Sequence, residues 1–126
     1  MKKIDSKNAP LAAGHYSQFI RVGKFVFCSG QIGLDPKTNL LVKGGIEKET
    51  KQALKNLSAV LKAAKLSLKN VVKTEIFITD MKKFSVINEI YTTFFISDPK
   101  PARQTIGITS LPKGARIEIS CIAYCK

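Results

Sequence analysis

Hydrophobic positions along this chain repeat with two different periods, and the switches between them mark out its elements. Segments 17–21 and 24–29 alternate as strands around Val22-Gly23, which predicts a hairpin. Phe25, Val26, Phe27 and Cys28 are apolar on both faces, as expected of a strand inside a sheet and covered on both sides. Asp35-Pro36-Lys37-Thr38-Asn39 has the composition of a loop, and Gly44-Gly45 closes it. From 46 to 64 the pattern takes the helical repeat. Positions 46, 53, 54, 57, 60, 61 and 64 form an apolar stripe, and Glu47, Lys48, Lys51, Lys55 and Lys62 lie outside it. Segment 71–79 returns to alternation, with Val72, Ile76 and Ile78 on one face and Lys73, Glu75 and Phe77 on the other. Asp80 is placed to cap a second helix carrying Phe84, Ile87, Tyr91, Phe94 and Phe95 at helical spacing, and Asp98-Pro99 ends it.

The last two strand-like segments carry the candidate chemistry. In 103–110, Arg103, Thr105, Gly107 and Thr109 share one face, and Ile106 and Ile108 the other. In 115–125, Ile117, Ile119, Cys121 and Ala123 form an apolar face, while Glu118 and Ser120 point away from it. Leu111 to Gly114, with Pro112 and Gly114, has the character of a turn. Pairing as a hairpin would set Arg103 and Glu118 on one polar face. A permanently charged fork beside a titratable acid suits a small carboxylate substrate and proton transfer. A cross-strand ion pair on a solvated surface would leave the same pattern.

The order ββ-α-β-α-ββ predicts one α+β domain, 1–126, with a mixed sheet and two helices packed on one of its faces. The other face would hold Arg103, Thr105, Glu118 and Ser120 together with Phe25 or Val26, Phe77 and Tyr124. That mixture is too apolar for water and too polar for a closed core. It predicts an oligomer, with these side chains lining crevices between subunits.

Composition narrows the classes. With 126 residues and 44% hydrophobic content the chain can bury a substantial core. No apolar run reaches the ~18 residues a membrane helix needs. Lys2 and Lys3 are followed by Asp5, Ser6, Lys7 and Asn8 where a signal peptide would be apolar, so a cytoplasmic protein is expected. Three cysteines without a CxxC pair, and a single histidine, argue against a disulfide framework and a dedicated metal site. Cys28 and Cys121 read as small buried hydrophobes. The net charge of +12 makes RNA or anionic surfaces conceivable partners. The lysines are nevertheless dispersed, with no long basic block and no aromatic-basic RNA signature.

Short motifs spread over nearly the whole chain add a resemblance. They are Asn8-Ala9-Pro10, Gly14-His15-Tyr16-Ser17-Gln18, Ser29-Gly30-Gln31-Ile32 and Asp35-Pro36-Lys37-Thr38. Val72-Lys73-Thr74, Asn88-Glu89-Ile90-Tyr91 before Phe94-Phe95, Pro101-Ala102-Arg103, Leu111-Pro112-Lys113 and Ile117-Glu118-Ile119 follow in order. In this ordered set the chain resembles the RidA branch of the Rid/YjgF reactive intermediate deaminase family. The resemblance implies a chorismate-mutase-like fold assembled as a homotrimer with sites between subunits. It implies hydrolysis of 2-imino acids or their enamines (2-iminobutanoate, 2-iminopropanoate) to 2-keto acids and ammonia, without a cofactor or metal.

Carried over by position, Arg103 resembles the residue that clamps the substrate carboxylate, and Glu118 the acid that orients or activates the attacking water. Tyr16 resembles an aromatic lid given by the adjacent subunit, while Ser29, Gly30 and Thr105 would line the pocket. Tyr16 could equally anchor its loop, and Ser29-Gly30 could be a plain strand-ending turn. Asn88 and Tyr91 match the family but fall in an apolar helix stripe and read as structural. Two positions depart from the family pattern: His15 stands where proline is common, and Ser120 where a second acid is frequent. Neither touches Arg103 or Glu118. Rival classes are an RNA-binding translation inhibitor or ribonuclease, as described for some relatives, and a non-catalytic ligand-binding or chaperone-like protein with the same fold. If the lysines are only a solvated surface, RNA affinity falls steeply between low and physiological salt. An anisotropy titration checks this; sequence-selective binding that survives physiological salt would contradict it.

Overall fold

The computed structural model describes Met1 and residues 5–126; Lys2 and Lys3, used above in the N-terminal charge argument, lie outside them. Its elements are β1 (Phe19–Val22), β2 (Phe25–Gln31), α1 (Gly45–Ala63), β3 (Val71–Ile78), α2 (Phe84–Phe94), β4 (Ala102–Gly107) and β5 (Ile117–Tyr124). The element order is the expected one. The turns are built by the residues that marked them: Gly23 at φ 57° between β1 and β2, and Gly44 and Gly45 at φ 115° and 77° at the start of α1. Asp80 caps a single 3-10 turn that leads into α2, its carboxylate accepting from the Lys82 N–H at 3.0 Å.

The five strands form one mixed sheet in the order β1-β2-β5-β3-β4. Every pairing is antiparallel except β3 with β4, which run parallel on either side of α2 in the chain. The expected hairpin between 103–110 and 115–125 is therefore not formed: β3 lies between β4 and β5. The cause lies in what each strand offers the core. On β5, Ile117, Ile119, Cys121 and Ala123 are all buried, a pattern that belongs at the centre of a sheet. The corresponding positions on β4 are Arg103 and Thr105, which only an edge strand can present. Among the described residues, no helix is long and apolar enough to cross a membrane.

Both helices pack on one face of this sheet, as expected, around a core that includes Phe19, Leu54, Leu57, Leu61, Ile76 and Ile87. Lys48, Lys51, Lys55 and Lys62 are exposed on the outer side of α1. Two finer face assignments change. A bulge between Val71 and Lys73 turns Val71 into the core and leaves Val72 exposed. On β2, Val26 and Cys28 face the helices, whereas Phe25 and Phe27 stand on the opposite face, 44% and 45% exposed. That strand is interior to the sheet but covered on one side only. Phe25 meets the Tyr124 ring edge-on at 5.1 Å, and Ile106 and Val72 add further exposed apolar surface. Cys28 and Cys121 are buried free thiols directly opposite each other on β2 and β5. A hydrogen bond with Cys28, together with burial, pushes the Cys121 thiol well above its usual range, which keeps it protonated.

Leu57 has no exposed surface and lies midway along the α1 stripe. Leu57→Ala should cost about 2–5 kcal/mol, read by chemical denaturation.

Candidate active site

The sequence-marked residues gather in two groups on opposite faces of the sheet. Glu118 opposes Phe77 of β3, and Phe77 in turn opposes Ile106 of β4; these share the face without helices. Arg103 opposes the fully buried Thr74, and Thr105 opposes Ile76, so both point to the helix side. The expectation that Arg103 and Glu118 share one face thus fails along with the hairpin that would have produced it.

The first group surrounds Glu118. The β2–β5 register slips between Cys28 and Gln31, and the slip brings Gly30 against the Glu118 side chain. A Cβ on Gly30 would lie 2.5 Å from Glu118 Oε1, so a side chain here would displace the carboxylate from its present position. Ser29 sits beside it, but its hydroxyl donates to the Ser17 carbonyl at 2.5 Å and its N–H to the Gln18 carbonyl at 2.9 Å. Its proton therefore ties β2 to the preceding segment. Gln18, itself buried, clamps that segment by donating to the carbonyls of Pro10 at 2.7 Å and Ser6 at 3.1 Å. The loop so held carries Tyr16, half exposed, whose ring packs on Gly14. Tyr16, Gly30, Ile32, Pro112, Lys113 and Glu118 all line one cavity of about 260 Å³. Burial raises the Glu118 pKa above the ordinary carboxylate value.

The second group centres on Arg103. Its Nη1 donates to Asn88 Oδ1 at 2.6 Å, and its guanidinium lies 4.8 Å from the Tyr91 ring centre and 5.5 Å from that of Phe84. The Tyr91 and Thr74 hydroxyls share a hydrogen bond at 2.9 Å, and the Tyr91 ring stacks on Phe95 at 4.4 Å. Burial is the main influence on the Tyr91 phenol and raises its pKa. Asn88, Tyr91, Phe95, Lys100, Pro101 and Arg103 line a second cavity of about 410 Å³. Thr105, two residues along the same strand face, has a buried hydroxyl oxygen with no hydrogen-bond partner among the described residues. The guanidinium has five donors, and the Asn88 contact occupies one of them.

Sequence reasoning assigned Asn88 and Tyr91 to structure alone; they hold Arg103. The signal was present as the run Phe84, Asn88, Tyr91, whose spacing puts all three on one helix face with a polar residue in its middle. Among the described residues, no three His, Cys, Asp or Glu side chains group as metal ligands.

The family model described as Endoribonuclease L-PSP matches residues 6–125. A mouse 2-iminobutanoate/2-iminopropanoate deaminase is 48% identical over 97% of this chain and 90% of its own. A RutC family protein of Pyrococcus horikoshii is 46% identical over 96% and 95% of the two chains. The crystal structure of RidA from an Antarctic Psychrobacter superposes with a TM-score of 0.94 at 40% identity, covering 98% and 99% of the two chains. The chain belongs to the Endoribonuclease L-PSP family, the Rid/YjgF family of its sequence motifs. Its mixed sheet with two helices on one face is the fold of that family.

The raised Glu118 pKa has a consequence for stability. Below about pH 4, the ordinary glutamate range, the side chain is neutral in both folded and unfolded chains and burial costs nothing. As pH rises from the unfolded-state value to the raised folded-state value, stability falls, and above both the full cost of burying the ionised group is present. Glu118→Gln should therefore raise Tm at neutral pH, with the gain disappearing on acidification, as followed by thermal denaturation across pH.

Proposed function

We propose that this chain, acting through its full length as a single domain, hydrolyses 2-imino acids and their enamines to 2-keto acids and ammonia in the cytoplasm. The relatives named 2-iminobutanoate/2-iminopropanoate deaminase, similar over nearly the whole chain, support the reaction class. In this reading the working form is a homotrimer of chorismate-mutase-like subunits. Each site combines Arg103 and Thr105 of one subunit with Glu118, Gly30 and Tyr16 of its neighbour.

One observation carries the assembly. A carboxylate clamp and a water-activating acid must act on the same small molecule, yet Arg103 and Glu118 leave opposite faces of one sheet. Only a second copy can bring them together. The open face that would be covered holds Phe25, Phe27, Val72 and Ile106.

The chemistry asks little more. Arg103, steadied by Asn88 and by the Tyr91 and Phe84 rings, offers its remaining donors to the substrate carboxylate as a planar fork. The unpartnered Thr105 hydroxyl supports a further polar contact from the same wall. A protonated imine carbon is already electrophilic, so one positioned water suffices. Ionised Glu118 takes a proton from that water as its oxygen bonds to the carbon. Returning the proton to nitrogen lets the C–N bond of the tetrahedral intermediate break and ammonia leave. Glu118, ionised again, takes the remaining hydroxyl proton as that oxygen becomes the carbonyl of the 2-keto acid, and the proton is then passed to ammonia or solvent. Tyr16, at the cavity rim, limits entry of bulk water.

The test couples a threonine dehydratase to this protein and follows decay of the imine. Arg103→Ala should lower kcat/KM by about tenfold or more, the value of a lost charge-assisted hydrogen bond. Glu118→Gln should lower turnover by ~10²–10⁴-fold, the usual range for general acid–base assistance. Mixing the two impaired variants as dissociated subunits and reassembling them should raise activity above that of either parent, because about a quarter of interfaces in a random closed ring carry both native side chains. Mixed assemblies no more active than the average of their parents would overturn the shared site, and an unimpaired Arg103→Ala would overturn the clamp.

A further inference from the structure

Resting on the deaminase reading, we infer that Glu49 and Asn56 of α1, with Gln52 between them, are positioning residues that set the distance between Glu118 and the Gly30 wall. All three lie within two turns of one helix face, beside the buried apolar residues Ala53, Leu57 and Val60. Glu49 and Asn56 have no exposed surface at all. Buried polar groups of this kind persist where every hydrogen-bonding position has a partner, and here the partners are Ile32 and Leu34 of the Glu118 cavity and Arg116, which leads into the strand that carries Glu118.

Asn56 holds the first wall. Its amide nitrogen donates to the carbonyls of Ile32 at 3.0 Å and Leu34 at 2.8 Å, in the segment that follows Gly30 and Gln31. Gln52 donates to Asn56 Oδ1 at 2.8 Å, which fixes the orientation of the Asn56 amide and aims both donors at that segment. Glu49 holds the second wall. One carboxylate oxygen accepts from the Arg116 backbone N–H at 2.9 Å, and the other pairs with the Arg116 guanidinium. Arg116 immediately precedes β5, two residues before Glu118.

Gly33 locks the walls to one another through the helix. A Cβ at Gly33 would lie 2.8 Å from both the Cα and the carbonyl oxygen of Glu49, so the first wall sits directly on the backbone of the residue that grips the second. The gap between Gly30 and Glu118, which a Cβ would widen by displacing the carboxylate, is thus set by hydrogen bonds made on the far side of the sheet. None of the three side chains lines the cavity. They act through the backbone on either side of it. A displacement of roughly 1 Å in a reacting group can cost about 10²-fold in rate, so this frame bears on turnover as well as stability.

The experiment measures kcat, KM and Tm for Glu49→Gln, which keeps shape and one acceptor, and for Gln52→Ala, at a half-buried position where folding survives. Both are also made in the Glu118→Gln background. Assayed well below its melting temperature, Glu49→Gln should lose about tenfold or more in kcat, within the range expected for a misplaced catalytic group. KM, governed by carboxylate capture at Arg103, should change little. Gln52→Ala should show a smaller loss in the same direction. With Glu118 already replaced, neither change should lower kcat further. An unaltered kcat in folded Glu49→Gln and Gln52→Ala, or equal losses with and without Glu118, would reduce the frame to a structural role and overturn the inference. Full turnover by Glu118→Gln alone would instead remove the deaminase reading, and this inference with it.

Discussion

The constraint on which the structure depends is that its sheet has one covered face. Two helices bury the sides of β2, β3 and β5 that carry Val26, Ile76, Ile78, Ile117 and Ile119, while among the described residues no helix covers the other side, where the Tyr16 loop and Pro112-Lys113 close over Glu118 alone. Each side chain of interest is placed by which side of this sheet its position falls on. Glu118 lies between two buried isoleucines, so alternation sends it to the open face. Arg103 opposes buried Thr74 and is sent to the helices, where a guanidinium survives only because β4 is an edge strand and α2 supplies aromatic faces and an amide. The separation of the proposed clamp from the proposed acid follows from those two placements.

Polar groups inside the helix layer serve the same geometry. Glu49, Asn56 and Thr74 are fully buried, and each engages a partner in or next to a strand or loop of a site, or in Arg103's support. Replacing such groups by apolar ones would leave carbonyls or hydroxyls unpaired in the core, at about 1–3 kcal/mol each. Their presence makes the helices more than a hydrophobic cover. They fix where loops end and strands begin, and so where glycine and carboxylate meet at Gly30 and Glu118.

The surplus of basic residues has a quieter role in the fold. The lysines of α1 project from its outer side, Lys62 lies in its last turn and Glu47 in its first, an arrangement favourable to the helix dipole. Lys73 and Lys100 meet Glu75 and Asp98 in exposed ion pairs of small energetic value. Among these cations the fold concentrates Arg103 against aromatic rings.

Periodicity by itself determined the elements and their order, because a strand or helix is a local commitment of neighbouring residues. Gly23, Gly44-Gly45 and Asp80 mark its turns and caps for the same reason: backbone sterics and side-chain hydrogen bonds act over a few residues. The motifs likewise made the family legible. What the chain could not disclose is which strands are neighbours. Alternation says that Arg103 and Thr105 share one side of β4 and that Glu118 lies on the polar side of β5, but not how one strand's sides map onto the other's. A shift of a single residue exchanges every side chain between faces. Only the insertion of β3 between β4 and β5, driven by the need to bury β5 on the helix side, decided that Arg103 would meet Asn88 and Tyr91 and that Glu118 would meet Gly30. The same holds for Val71, which a bulge rather than the period brought into the core, and for Glu49 and Asn56, whose partners lie far along the chain.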